Sequence, residues 1–342
     1  MKKILLLAAL VMLACLCAFA ESAIECDTVY NGCVGLPVTW TVESDAAVQK
    51  YDIFDEDSGK LVYSLETNEK TLVYTPDEAA TLSVIVSLEN GETLRSNPVN
   101  IEAKLLFGVY EQDGNDSTSD PIEWTILSVE DGKALVISKY ILKNESYFNP
   151  SWIKYKYTFW AYSYIGDFST NYKGSQPEDP SRLITGISAT SIPMKDGSRG
   201  TEEDLYNSDL HCRHWCNVTF YDAAFDEDEK ARILLTHNVN ADNPSSGVDG
   251  GPDTDDYIFF LSYDELNEYM PNASDRKCSQ TAVAKKETKK NDQNYWWLRT
   301  PGQFRVNAAI VYGSNGHVTL YGTDVGHNAV GYRPCAWITI GG

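Results

Sequence analysis

The sequence predicts a multi-domain chain, an N-terminal all-β immunoglobulin-like sandwich followed by a larger α+β domain. Three observations point there. Residues 36–103 alternate apolar and polar side chains with a period of two, with turn residues between the runs. Beyond Ala103-Lys104, strands, then helices, then strands follow without βαβ alternation, the order of an α+β fold. A length of 342 residues is enough for two ordinary domains.

The N-terminus reads Met1-Lys2-Lys3, an apolar run Ile4–Leu16, then Ala18-Phe19-Ala20. A basic start, an apolar core and a small-x-small site make residues 1–20 a secretory signal, with Glu21 the first mature residue. A lesser reading takes Met12-Leu13-Ala14-Cys15 as an imperfect lipobox that lipidates Cys15, with Met where Leu is usual. No second segment is apolar enough over a sufficient length to span a bilayer, so the mature chain is expected without a spanning segment. The expected location is secreted, periplasmic or cell surface, in a bacterium.

The formal charge is −21, and losing Lys2 and Lys3 takes it to −23. Such a surface repels phosphate backbones, which excludes nucleic acid as a partner, and disfavours anionic lipid. Six cysteines follow the signal: Cys26, Cys33, Cys212, Cys216, Cys278 and Cys335. An even count in an exported protein permits disulfides. The short spacing of Cys26 and Cys33 suits a loop bridge; the other four read equally well as buried thiols.

Residues 21–103 form the first module. Val38, Trp40 and Val42 face one way, Thr39, Thr41 and Glu43 the other, and Leu82, Val84, Val86 and Leu88 alternate likewise. Asp57-Ser58-Gly59 and Glu89-Asn90-Gly91 supply turns, and Ser96-Asn97-Pro98-Val99 suits an edge strand, because proline cannot donate to a central ladder. Both early cysteines precede Trp40, so no inter-sheet disulfide brackets that tryptophan.

Residues 104–342 form the second. Strands are expected at Leu105–Tyr110, Ile122–Val129 and Lys133–Tyr140. Asp226-Glu227-Asp228-Glu229 and Ser262-Tyr263-Asp264-Glu265 carry the capping pattern that opens a helix. A third helix is expected over Thr281–Lys286. Tyr257–Leu261 reads as a buried strand, and Trp296–Arg299, Ala308–Tyr312, His317–Tyr321 and Val330–Ile338 as short strands.

Several motifs stand in fixed order: Phe107-Gly108-x-Tyr110, Pro121-Ile122-Glu123-Trp124-x-Ile126-Leu127 and Ala134–Lys139. Arg213-x-Trp215-x-Asn217, Phe220-Tyr221-x-x-Ala224-Phe225, Phe259–Ser262, Trp296–Gly302 and Gly331-Tyr332-Arg333-Pro334-x-x-Trp337-Ile338 follow. Together they resemble an uncharacterised bacterial family, domain of unknown function six-two-seven-three, over roughly 104–342. The ending is also similar to the C-type-lectin-like fold of formylglycine-generating enzymes. The resemblance implies that Trp124, Trp215, Trp296, Trp297, Arg299 and Arg333 are framework, and it carries no activity. Cys212, Cys216 and Cys335 depart from apolar positions of the family pattern, which favours buried packing. Residues 150–206 look like an insertion.

That insertion opens on ten aromatics in the 22 residues Tyr147–Phe168. Trp152, Tyr155, Tyr157 and Trp160 are candidates for stacking on sugars or anchoring a partner; the plainer reading is a two-faced strand packed on the domain. Asp249, Asp253 and Asp255 could offer oxygens to Ca²⁺, but the EF-hand loop is lacking, and a solvated turn with no cofactor is the simpler expectation. His211, Cys212, His214 and Cys216 on one short helix could not surround zinc tetrahedrally. Arg299 and Arg333 could fork a ligand carboxylate, but pairing inside the fold is the simpler role.

No Gly-x-Ser-x-Gly, His-Glu-x-x-His or phosphate loop is present. The expected function is a non-catalytic exported binding or surface protein whose ligand is a glycan or protein. The alternatives are an enzyme on a lectin-like scaffold, cysteine-dependent or a glycoside hydrolase, and a structural envelope component.

Overall fold

The computed structural model describes residues 22–27, 32–115, 119–147, 212–251, 253–288, 291–304 and 307–340, and four short strands between 158 and 200. Residues 1–21, which include Cys15 and were expected to hold an export signal, and most of the aromatic stretch expected as an insertion lie outside the described residues. Contacts divide the chain into two units, Met1–Ala103 with Ile340–Gly342, and Lys104–Thr339. Strands dominate and helices are few and short.

The first unit holds β1 (Ala23–Asp27), β2 (Gly32–Cys33), β3 (Val38–Glu43), β4 (Val48–Asp55), β5 (Lys60–Glu66), β6 (Thr71–Tyr74), β7 (Ala80–Leu88), β8 (Thr93–Arg95) and β9 (Val99–Glu102). β1-β3-β6 form one sheet; β2-β9-β7-β4-β5 form the other, with β8 beside β7. The period-two pattern decides which side chains turn inward. Val38, Trp40 and Val42 from the first sheet meet Tyr51, Ile53, Val84 and Val86 from the second in one core.

Two expectations are corrected here. Cys26 and Cys33 are thiols, not a disulfide. Cys26 stands opposite Trp40 in the three-stranded sheet, whereas Cys33 lies in β2 of the other sheet, its thiol donating to the Val34 carbonyl at 3.4 Å. Short sequence spacing did not reveal that the chain changes sheets between them. Burial, and next Glu102, push the Cys33 thiol up to about 11. Ser96–Pro98 is a connection rather than an edge strand, and β9 lies between β2 and β7.

The second unit adds β10 (Leu105–Tyr110), β11 (Asp120–Glu130), β12 (Lys133–Ser138), β13 (Lys143–Asn144), β14 (Thr158–Trp160), β15 (Asp167–Ser169), β16 (Ile192–Pro193), β17 (Arg199–Gly200) and β18 (Ile233–Leu234). β19 (Thr236–Asn238), β20 (Thr254–Asp256), β21 (Tyr295–Pro301), β22 (Asn307–Tyr312), β23 (Val318–Asp324), β24 (Gly331–Tyr332) and β25 (Cys335–Thr339) follow. One sheet runs β10-β11-β12-β25-β18 and a second β13-β24-β21-β22-β23; β14-β15, β16-β17 and β19-β20 pair by themselves. Gly108 sits at the bulge between Leu106 and Val109 with φ +70°, and any Cβ there would come 2.5 Å from the Phe225 ring.

The stretch expected as one strand over Val330–Ile338 is two. Arg333-Pro334 carries the chain from β24 in the second sheet to β25 in the first. Tyr257–Leu261 is likewise no strand. Phe259 and Cys335 exchange backbone hydrogen bonds at 3.0 and 2.7 Å, while the Leu261 carbonyl accepts from the Arg299 amide of β21 at 3.0 Å. Ile258–Leu261 is therefore apolar because it is buried between elements of both sheets.

The helices begin where local capping chemistry places them. α1 (Cys212–His214) runs into a π-helical turn (Trp215–Phe220) and α2 (Tyr221–Ala224). α3 (Glu227–Lys230) is opened by Asp226 and α4 (Tyr263–Tyr269) by Ser262, each with a full capping box. Thr281 caps α5 (Ala282–Glu287).

Trp40 is completely buried. Trp40→Ala is expected to cost about 3–5 kcal/mol, measured as a lower urea midpoint at unchanged m-value.

Candidate functional site

Arg299 in β21 is only 2% exposed. Its Nη1 donates to Glu265 Oε2 at 2.5 Å and to the Phe260 carbonyl at 2.9 Å; Nη2 donates to Glu265 Oε1 at 2.7 Å and to the Val239 carbonyl at 3.2 Å. Glu265 Oε2 also accepts from the Ser262 amide. One carboxylate thus caps α4 and neutralises a buried guanidinium through a bidentate fork. The arginine is framework.

The Arg213-x-Trp215-x-Asn217 motif is accounted for the same way. Buried Asp256 in β20 accepts from Arg213 Nε at 2.6 Å, Asn217 Nδ2 at 3.1 Å, Asn238 Nδ2 at 3.1 Å and the Thr254 hydroxyl at 2.7 Å. Asn217 also accepts the Tyr257 and Ile258 amides through its carbonyl. Trp215 stacks on Phe220, ring centroids 4.8 Å apart. Cys212, Cys216 and Cys335 are fully buried thiols; His211 lies outside the described residues. Trp124 donates to the Phe107 carbonyl at 2.7 Å and Trp297 to the Glu145 carbonyl at 3.0 Å. Tyr147, at the head of the aromatic run, packs edge-on against Trp297. Trp152, Tyr155, Tyr157 and the Trp160 side chain lie outside the described residues.

Of the three acids considered for Ca²⁺, one closes its own turn and two face the same histidine. Asp249 closes its own turn by accepting the Gly251 amide at 2.7 Å. Asp255 meets His237 Nδ1 at 2.8 Å, and Asp253 faces His237 Nε2 at 3.5 Å. Among the described residues, carboxylates close enough to share a cation are instead those of Glu111, Asp113 and Asp120, whose ligand atoms lie within 4.8 Å of one another.

Arg333 differs from Arg299, which is buried as deeply among the described residues. It is 2% exposed, its Nε donates to the Ser138 carbonyl at 2.9 Å, and its guanidinium lies 5.0 Å over the Trp296 ring. Its Nη1 has no partner, and among the described residues no carboxylate pairs with it. Burial lowers its pKa, an effect that the neighbouring Cys278 and Cys335 oppose.

Cys278 leads to the site that the motifs did not announce. A cavity of about 380 Å³ is lined by Lys139, Tyr140, Lys277, Cys278, Ser279, Asn294, Gly313 and Ser314. Lys139-Tyr140 leave β12, 277–279 precede α5, Asn294 precedes β21, and 313–314 turn between β22 and β23. Backbone bonds join these segments: Cys278 N to Gly313 O, Gly313 N to Asn294 O, and Ser314 N to Gln293 O, each 3.0 Å. Asn294, at φ +54°, donates through Nδ2 to the Cys278 carbonyl at 3.0 Å. Gly313 is required here, because a Cβ would stand 2.7 Å from Cys278 Sγ and 2.6 Å from the Asn294 carbonyl. Hydroxyls, an amide, a half-buried tyrosine and two ammonium groups make a polar, orienting surface. Burial raises the Cys278 pKa and Arg333 pulls it part of the way back, so the thiol stays protonated. The only contiguous hints in sequence were Lys139 at the end of a strand motif and an isolated Cys278.

A family model described as Domain of unknown function (DUF6273) matches residues 131–340. No curated protein matches. Among solved structures, the sulfur carrier protein SoxY from Chlorobium limicola f thiosulfatophilum is 17% identical, with 29% of this chain and 99% of that chain covered and a TM-score of 0.18. A superposition that poor carries no argument.

Two outcomes are expected. Glu265→Ala, which strands the Arg299 charge, should cost about 3–5 kcal/mol in chemical denaturation, and Glu265→Gln, which keeps the helix cap, should cost less. The Asp255 hydrogen bond, the largest influence on exposed His237, holds its pKa above 6.5. The charged pair therefore helps the fold below the ordinary histidine value, and that help fades as pH rises through the raised one. In an NMR titration, Asp255→Asn should bring the His237 midpoint down.

Proposed function

We propose that this chain, which belongs to the family of domains of unknown function DUF6273, is an exported, non-catalytic binding protein whose ligand is a glycan. The observation that carries this reading is the 380 Å³ cavity, where Tyr140, Ser279, Asn294 and Ser314 converge from separate segments. Such groups match a sugar: hydroxyls and amides exchange hydrogen bonds with its hydroxyls, and an aromatic face takes its C–H surface.

The remaining parts follow from that role. Residues 1–20 are the export signal, and the mature protein is secreted, periplasmic or held at the cell surface. Residues 21–103 are an immunoglobulin-like spacer, a reading supported by two sheets that share one core. The second unit is C-type-lectin-like, a reading supported by two sheets, short helices and loops that gather around the cavity. Trp152, Tyr155, Tyr157 and Trp160 extend the ligand contact beyond the cavity. A binding role also suits Cys278, because a thiol held protonated by burial is a poor nucleophile.

A glycan array with the mature chain is expected to give positive spots that Tyr140→Ala weakens at least about tenfold without lowering the melting temperature. Equal binding by wild type and variant, or no binding by either, would remove the cavity as the site. Trp152→Ala and Trp160→Ala on the same array test the extended contact.

A further inference from the structure

We infer that the cavity selects an anionic sugar, one bearing a carboxylate or a sulfate, an assignment that rests on the glycan-binding reading above. The chain is strongly acidic, with 49 Asp and Glu against 28 Lys and Arg. Yet the eight residues lining this cavity include two lysines and no acid. A positive pocket on a negative protein focuses field lines and is where an anion is drawn.

The two lysines are not equivalent. Lys139 is held by Glu123, its Nζ 2.5 Å from Oε1, and that carboxylate is shared with Lys104 at 3.1 Å. Lys277 is exposed and forms no ion pair among the described residues, so its ammonium is available to a ligand. Behind the wall, Arg333 supplies a third positive charge. It is electrostatically coupled to Cys278, which the cavity exposes, and no carboxylate among the described residues compensates it. A buried cation without a counter-ion is costly, and its field in the low-dielectric interior reaches further than that of a surface lysine. An anion seated against Cys278 and Lys277 would relieve that imbalance. Arg333 acts here by its field; Lys277 makes the contact. The serines at 279 and 314 then meet the neutral hydroxyls of the same sugar.

NMR titration of the full mature chain with glucuronic acid, glucose 6-sulfate and glucose tests the inference. At low salt at least one acidic sugar is expected to bind about tenfold tighter than glucose or better. The gap should narrow in about 0.5 M salt, where exposed charges are screened, and should collapse in Lys277→Gln while Lys277→Arg keeps it. Which acidic sugar binds tighter separates carboxylate from sulfate. Glucose binding as tightly as both acids, or a preference untouched by Lys277→Gln, would overturn the anionic assignment and leave the glycan reading in place. Absence of binding by all three, with a blank glycan array, would remove both.

Discussion

A guanidinium cannot be taken out of water without partners on its donor faces, and much of the second unit is arranged around that rule at Arg299. Its fork meets Glu265 at the head of α4, the Phe260 carbonyl in the segment between the sheets, and the Val239 carbonyl beside β19. Three points outside β21 are thereby set at fixed distances from it. The same carboxylate that neutralises the charge caps the start of the helix, so neither feature can be altered alone. Asp256 repeats the scheme with four donors. These hydrogen-bonded polar centres help to fix the strands from which the cavity loops project.

Against this background Arg333 is an exception with a location. It shares the depth of Arg299 but lacks its carboxylate, and it stands next to the thiol in the wall of the cavity. Natural folds break their local rules at functional places and compensate elsewhere. An under-compensated charge thus stands beside an open polar cavity.

Much of the fold was legible because its causes are local. Alternation of Val38, Trp40 and Val42 reports a strand with one wet face, and Asp226 or Ser262 three residues before glutamate reports a helix start. The errors share a cause as well. Ile258–Leu261 has the composition of a buried strand, but burial by two different sheets leaves the same trace as pairing within one. Cys26 and Cys33 are close in sequence, yet a change of sheet between them has no sequence signature. The cavity was illegible for a stronger reason: four separate segments build it, 139–140, 277–279, 294 and 313–314, and no sequence motif joins one to another.

The passage of the chain through Arg333-Pro334 from β24 to β25 has a dynamic consequence. β25 lies between β12 and β18, while β24 holds β13 to β21, so a single short stretch is a central member of both sheets. Unzipping either sheet pulls on the other, and opening is therefore cooperative across the unit rather than sheet by sheet. Amide protons in both sheets should share one slow exchange regime. The segments around the cavity lie outside those ladders and are tied to one another by their own backbone hydrogen bonds.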